Sequence, residues 1–187
     1  MNKAAVIMAE GYEEGETLFI VDILRRAGIE CDTFSLCGSF VKGMHGMMIK
    51  ADKSFSDEVK DYDMIVLPGG RPGGANLCAS EKVIEMVKYF DAQHKFVTAM
   101  CSGTTVLEKA DVIHGRDVTG YVGYAEKLPS GNFIEKVVVR DDNLITSRGP
   151  ATVYPFAFKL CEAFGKTEEV KNLRERMMYD FAGGREI

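Results

Sequence analysis

The chain has 187 residues, 46% hydrophobic and 27% charged, a composition ordinary for a globular protein and a length suited to one domain with its own core. A formal net charge of -5 excludes the basic clustering that a phosphate backbone selects, so nucleic acid is not an expected partner. No run approaches the ~18 apolar residues of a membrane span, no signal-peptide pattern opens the chain, and five irregularly spaced cysteines without a CxxC pair read as reduced thiols, so no membrane, no zinc and a cytoplasmic location are expected.

Residues 3–8, "KAAVIM", form a short apolar run that reads as a buried strand. After an acidic turn, "ETLFIVDILRRAGI" places Leu18, Val21 and Leu24 on one face and ends at Gly28, which predicts a helix. "ECDTFSL" alternates as a strand does, and the Gly-rich segment that follows leads into "MMIKAD", read as an edge strand. "DMIVLPGG" is a second buried strand ending in a tight glycine turn. Ser80 is a candidate cap for a helix whose stripe is Val83, Ile84, Val87 and Phe90. "KFVTAM" is a third buried strand and "SGTTVLEKA" a short helix, and "FIEKVVVRDDNLITS" reads as a hairpin turning at "RDDN". From Pro150, a helix carries Val153, Phe156, Ala157, Leu160, Cys161 and Phe164 on one face, and an amphipathic helix and polar tail occupy 166–187. Apolar strands alternating with helices predict a parallel sheet covered on both faces. Without repeats or linkers, 1–187 is expected to form one domain with its core in about 3–165.

In open parallel sheets, sites form beyond the carboxyl ends of the strands. Glu13, Glu14 and Glu16 follow the first strand, Gly69 and Gly70 the second buried one, and Cys101 the third. "AMCSG" has the small-x-nucleophile-x-small form of a strand-to-helix elbow, in which small neighbours let the backbone bend and leave the thiol projecting. A helix start beyond the thiol predicts a lowered thiol pKa, and N–H groups of Ser102 and Gly70 are candidate oxyanion donors. The same pattern also suits a structural cysteine, and the elbow alone does not decide between the two. The three glutamates suit a helix start through the dipole, and only geometry can single one out. His94 and His114 fall at element ends, while His45 lies in a Gly- and Met-rich segment. No metal-ligand spacing and no nucleotide-binding glycine motif is present, so neither metal nor cofactor is expected.

"AEGYEEGETLFIVDILRRAGI", "YDMIVLPGG", "AMCSGTTVL" and "LITSRGPATVYPFAF" occur in the order and spacing of the ThiJ/PfpI superfamily. The chain resembles most the branch that contains the Parkinson-disease protein deglycase, over roughly residues 3 to 165. The resemblance implies a flavodoxin-like three-layer α/β sandwich with a mostly parallel central sheet, and a homodimer. It implies Cys101 as the reactive cysteine, Glu16 as its carboxyl partner, and Gly69, Gly70 and Ser102 around the oxyanion position. Arg148 of "SRGP", Tyr121 and His45 are then expected to line the site. Family proteases read "CHG" where this chain reads "CSG", and the deglycase branch has a histidine where this chain has Tyr121. The implied function is a cysteine-dependent stress-response protein that acts on small carbonyls such as methylglyoxal or senses oxidation. A thiamine-precursor enzyme is the alternative that the superfamily name adds. Cys101 as thiolate and Glu16 as neutral acid are expected to titrate as a coupled pair.

Overall fold

The computed structural model describes residues 2–183. Its centre is a seven-stranded sheet ordered β10-β11-β7-β6-β1-β2-β5. The strands are β1 Lys3–Met8, β2 Glu30–Ser35, β5 Lys53–Ser54, β6 Met64–Leu67, β7 Phe96–Met100, β10 Val138–Asp141 and β11 Leu144–Ser147. Pairing is parallel throughout except between β10 and β11. Side chains alternate across the sheet, so each central strand feeds two cores. Ala4 and Val6 of β1 and Met64 and Val66 of β6 face one layer, which holds α1 Glu14–Arg26, α5 Val153–Ala163 and α6 Thr167–Arg176. Ala5, Ile7, Ile65 and Leu67 face the other, which holds α3 Glu81–Ala92 and α4 Thr104–Lys109. Continuous apolar runs are therefore what a sheet buried on both faces requires.

Helix α1 starts where the Glu13 side chain accepts a hydrogen bond from the Glu16 N–H. It stops at Gly28, whose φ of 72° is left-handed. Ile20, Ile23 and Leu24 are fully buried, each worth about 1.5–3 kcal/mol of apolar burial. Leu18, assigned to the same face from the sequence, is only half-buried because the inward stripe runs through Ile20, Val21 and Leu24. Helix α5 keeps the expected face, with Val153, Phe156, Ala157, Leu160 and Cys161 buried. A short helix α7, Tyr179–Gly183, follows α6.

Four local expectations are corrected. Residues 47–52 do not form the sheet edge: β3 Phe40–Lys42 and β4 Met48–Lys50 make a separate antiparallel hairpin, and β5 is the edge. "PGGRPGG" is more than a turn, because its last two glycines open helix α2, Gly73–Ala79. Ser80 occupies the cap position of α3 without a side-chain hydrogen bond. The predicted hairpin begins only at Val138, since β9 Asn132–Phe133 pairs with β8 Asp117–Val118.

Candidate functional site

The carboxyl ends of β1, β6 and β7 meet at one point of the molecule. There β7, fully buried from Val97 to Met100, gives way to Cys101 at φ 53°. A left-handed non-glycine residue is uncommon and stores of order 1 kcal/mol. It turns the chain at once into a 3-10 turn, Cys101–Gly103, and then α4. Gly103 permits the bend, since a Cβ there would lie 2.3 Å from the Leu67 carbonyl oxygen. Thr104 Oγ1 donates to the Cys101 carbonyl at 2.7 Å and Ser102 Oγ to the Gly70 carbonyl at 3.0 Å, which ties the elbow to the loop after β6.

That loop brings two glycines against the thiol. A Cβ on Gly69 would lie 2.7 Å from Cys101 Cβ, 2.8 Å from Glu16 Oε2 and 3.0 Å from Cys101 Sγ. Gly69 therefore marks the point where the thiol and the carboxyl converge. Gly70, at φ 117°, leaves no room for a side chain either, its Cβ falling 2.2 Å from the Gly11 carbonyl oxygen.

Glu16 reaches this point from the first turn of α1 and is completely buried. Its Oε2 accepts the Gly69 N–H at 2.7 Å, while Oε1 has no hydrogen bond of normal geometry among the described residues. Burial pushes its pKa up to about 7, against the opposing pull of the Gly69 N–H and the Cys101 thiol. The high Glu16 matches the sequence expectation; the low Cys101 does not. The thiol is half-buried rather than exposed. Burial first, and then the Glu16 carboxylate, push it up to about 12, and the N–H groups of Ser102 and Gly70 pull it only part of the way back. Two of the three raising causes disappear when Glu16 carries a proton, so the pair holds one proton more tightly than either group alone.

Cys101 opens into a cavity of about 210 Å³. Gly70 and Ser102 lie beside the sulfur, and Arg71 extends the loop wall. Tyr121 and Tyr124 form an aromatic wall, edge to face at 5.7 Å, with Lys127 Nζ 4.1 Å from the centre of the Tyr124 ring. Glu13, Met44, His45 and Pro150 complete the lining. Met44 and His45 come from the β3–β4 hairpin, which Glu14 fastens to α1. Its Oε1 accepts the His45 N–H at 2.7 Å, and its Oε2 lies 2.9 Å from His45 Nδ1. Although burial opposes it, these bonds hold the Glu14 pKa below the usual carboxylate value.

Glu13, Glu14 and His45 thus bring three ligand-type atoms within 4.8 Å of one another. Both Glu14 oxygens are already engaged, and the group acts as the anchor of the hairpin.

The structure therefore brings Cys101, Glu16, Gly69, Gly70 and Ser102 together and sets Tyr121 and His45 in the wall. Arg148 does not line this cavity. It faces a neighbouring depression with Gly149 and Thr152 and lies 3.4 Å from Glu135. Glu13 was one of three glutamates that the sequence placed at the strand ends, whereas Met44, Arg71, Tyr124 and Pro150 were not assigned to the site from sequence. Only the position of Arg71, next to Gly70, and of Pro150, within "SRGP", offered a signal.

Comparison with known proteins agrees with this architecture. Residues 2–163 match the model of the DJ-1/PfpI family. The chain is 38% identical over 166 residues to the Parkinson disease protein 7 homolog of Danio rerio, covering 86% of this chain and 88% of the relative. The crystal structure of Drosophila melanogaster DJ-1beta superposes with a TM-score of 0.91 at 35% identity, over 95% of this chain and 97% of that one. A structure described as Toxoplasma gondii DJ-1, oxidized, does so with a TM-score of 0.89 at 31% identity, over 95% and 98%.

Proposed function

Since the chain belongs to the DJ-1/PfpI family, we propose that it is a cysteine-dependent stress-response protein whose Cys101–Glu16 pair acts on small reactive carbonyls, as a cofactor-independent glyoxalase or deglycase. The observation that carries this reading is a fully buried carboxyl, poised at about 7, beside a thiol that two backbone N–H groups face. An acid–base group works best with a pKa near the operating pH. The thiol adds to the aldehyde carbon and its proton passes to Glu16. The carbonyl electron pair collects on an oxygen held by the N–H groups of Gly70 and Ser102. With methylglyoxal, Glu16 passes that proton to the oxyanion; as carboxylate it then carries the proton of the sulfur-bound carbon to the neighbouring ketone carbon while the new hydroxyl proton moves to the ketone oxygen, and water releases the resulting thioester as a hydroxy acid. Lactate formation by the wild type and its loss in Cys101→Ser is the expected result; equal rates in both would remove the reading.

Tyr121 favours a second reading. A phenol, with a reference pKa of ~10, is a poor base at neutral pH, so the site also suits oxidation, reversibly or to the sulfinate, in a sensing or protective protein. A relative in oxidized form has the same fold. Mild peroxide is then expected to add two oxygens to Cys101 before it modifies Cys31, Cys37, Cys78 or Cys161. Uniform modification of the five in peptide mass spectra would count against sensing. The protease alternative lacks its histidine, because Ser102 follows the thiol. We place the protein in the cytoplasm as a homodimer. Among the described residues, no helix is long and apolar enough to cross a membrane.

A further inference from the structure

Arg71 stands at the cavity without an ion-pair partner among the described residues. It follows Gly70 directly, is exposed, and is one of the residues that line the space into which Cys101 opens. No ion pair or hydrogen bond engages its guanidinium among the described residues. By contrast, Arg25, Arg26, Arg116, Arg148 and Arg174 each face a carboxylate at 2.5–3.4 Å. The acidic groups nearby are committed elsewhere. Glu13 caps α1 through the Glu16 N–H, Glu14 is held by the hairpin, and burial keeps Glu16 largely protonated below about pH 7. Among the described residues, Arg71 is also the one Lys or Arg in the cavity lining.

The geometry then selects a ligand class. A cavity of about 210 Å³ is smaller than the ~300–1,000 Å³ of ordinary ligand sites, so it suits a molecule of a few heavy atoms. An aldehyde carbon at Cys101 Sγ directs its oxygen to the N–H groups of Gly70 and Ser102. A substituent on that carbon then falls near the residue that follows Gly70. A guanidinium there offers a planar fork that matches a carboxylate in two parallel hydrogen bonds.

We propose that Arg71 is a specificity residue that selects small aldehydes bearing an adjacent carboxylate, of the 2-oxo acid class, for addition to Cys101. The substrate class rests on the carbonyl reading given above. In the addition, the Sγ–carbon bond forms as the C=O π pair moves onto oxygen. Glu16, as the neutral acid, gives its proton to that oxygen and takes the thiol proton in return. Nothing leaves and nothing is oxidised, and the product is a hemithioacetal.

Two measurements test the proposal, the first without any carbonyl compound. Cys101 is alkylated with iodoacetate and, separately, with iodoacetamide, and the rates are read by peptide mass spectrometry. In both reagents Sγ displaces iodide and the thiol proton passes to solvent, so the rate ratio reports the charge that the anion meets. The ratio at Cys101 is expected to fall about tenfold in Arg71→Gln and to be mostly retained in Arg71→Lys, while the ratio at the exposed Cys37 stays constant. It is expected to shrink with added salt, since exposed charge is screened. An unchanged ratio in Arg71→Gln overturns the assignment.

The second measurement compares the concentrations of glyoxylate and of neutral glycolaldehyde that protect Cys101 from alkylation. The preference for glyoxylate is expected to collapse in Arg71→Gln. If both aldehydes protect and that preference ignores Arg71, the carbonyl reading stands and the inference falls. If neither aldehyde protects, the carbonyl reading fails and takes the substrate class with it, whatever the alkylation ratio shows.

Discussion

A proton shared between Glu16 and Cys101 makes stability depend on pH in a definite direction. The Glu16 pKa rises from 4.5 to about 7 in the folded state. Between those values the unfolded chain has already lost the proton that the folded chain keeps, so folding stability falls as pH rises through this window and levels off above it. The full difference is about 3 kcal/mol. Glu16→Gln, which cannot ionise, is expected to match the wild type near pH 4 and to gain on it by pH 8 in thermal melts. Parallel melting profiles would show that Glu16 titrates alike in the folded and unfolded chains. The same substitution removes the carboxylate that raises the thiol, so Cys101 is expected to alkylate faster at neutral pH. Tyr121→His places a base of pKa ~6.5 in the cavity wall and is expected to raise methylglyoxal turnover several-fold. An unchanged rate would assign all proton transfer to Glu16. Individual residues were unevenly legible. "AMCSG" showed the elbow because its small residues answer a local steric need. The family resemblance supplied Glu16 as the carboxyl partner, but the residues alone did not show that Cys101 would be half-buried, since that depends on how the first turn of α1 meets the loop at Gly69.

Elements were most legible where local pattern and burial coincide. The runs ending at Met8, Leu67 and Met100 are apolar because both faces of those strands are covered, and the faces of α3 and α5 follow from their spacing. Misreadings cluster where glycine dominates. Helix α2 begins with two glycines, which weaken any local helix signal, and it forms because Gly73 packs against Gly11 and Tyr12, and Gly74 against Ser102, with no room for a side chain. The hairpin of β3 and β4 cannot be told from an edge strand by alternation, since what sets it apart is pairing with itself and a single bridge, Tyr12 to Gly43, to the segment before α1. The loop after β6 gives the sharpest test at this scale. Gly70→Ala forces an alanine to φ 117° with its Cβ against the Gly11 carbonyl. A loss of at least about 1–3 kcal/mol is expected in urea unfolding, from backbone strain before any clash is counted. A loss within error of zero would mean that the loop relaxes freely.

The whole molecule leaves apolar surface uncovered on one flank. Phe40, Met47 and Met48 of the hairpin segment are 50% exposed or more, and Phe19 of α1, stacked on Tyr154, is 40% exposed. Clustered exposure of this kind marks an association surface. A second copy of the chain is the occupant that the family resemblance implies. Phe40→Glu with Met48→Lys is expected to shift the protein from dimer to monomer in light scattering at micromolar concentration; a wild type already monomeric there would exclude the interface. The hairpin has a further consequence. It belongs to no strand order of the main sheet, yet it supplies Met44 and His45 to the cavity wall. The Cys101 thiol and the Glu16 carboxyl are held by the sheet and α1, whereas this part of the rim hangs from Glu14 and from short backbone contacts at Gly11 and Tyr12. Residues 44–47 can therefore be exchanged, lengthened or shortened without moving the register of the seven-stranded sheet, while Gly43, with no room for a side chain beside Glu14, stays fixed. The centre and this stretch of its doorway are separable modules, and a lineage can retune what enters while inheriting the chemistry intact.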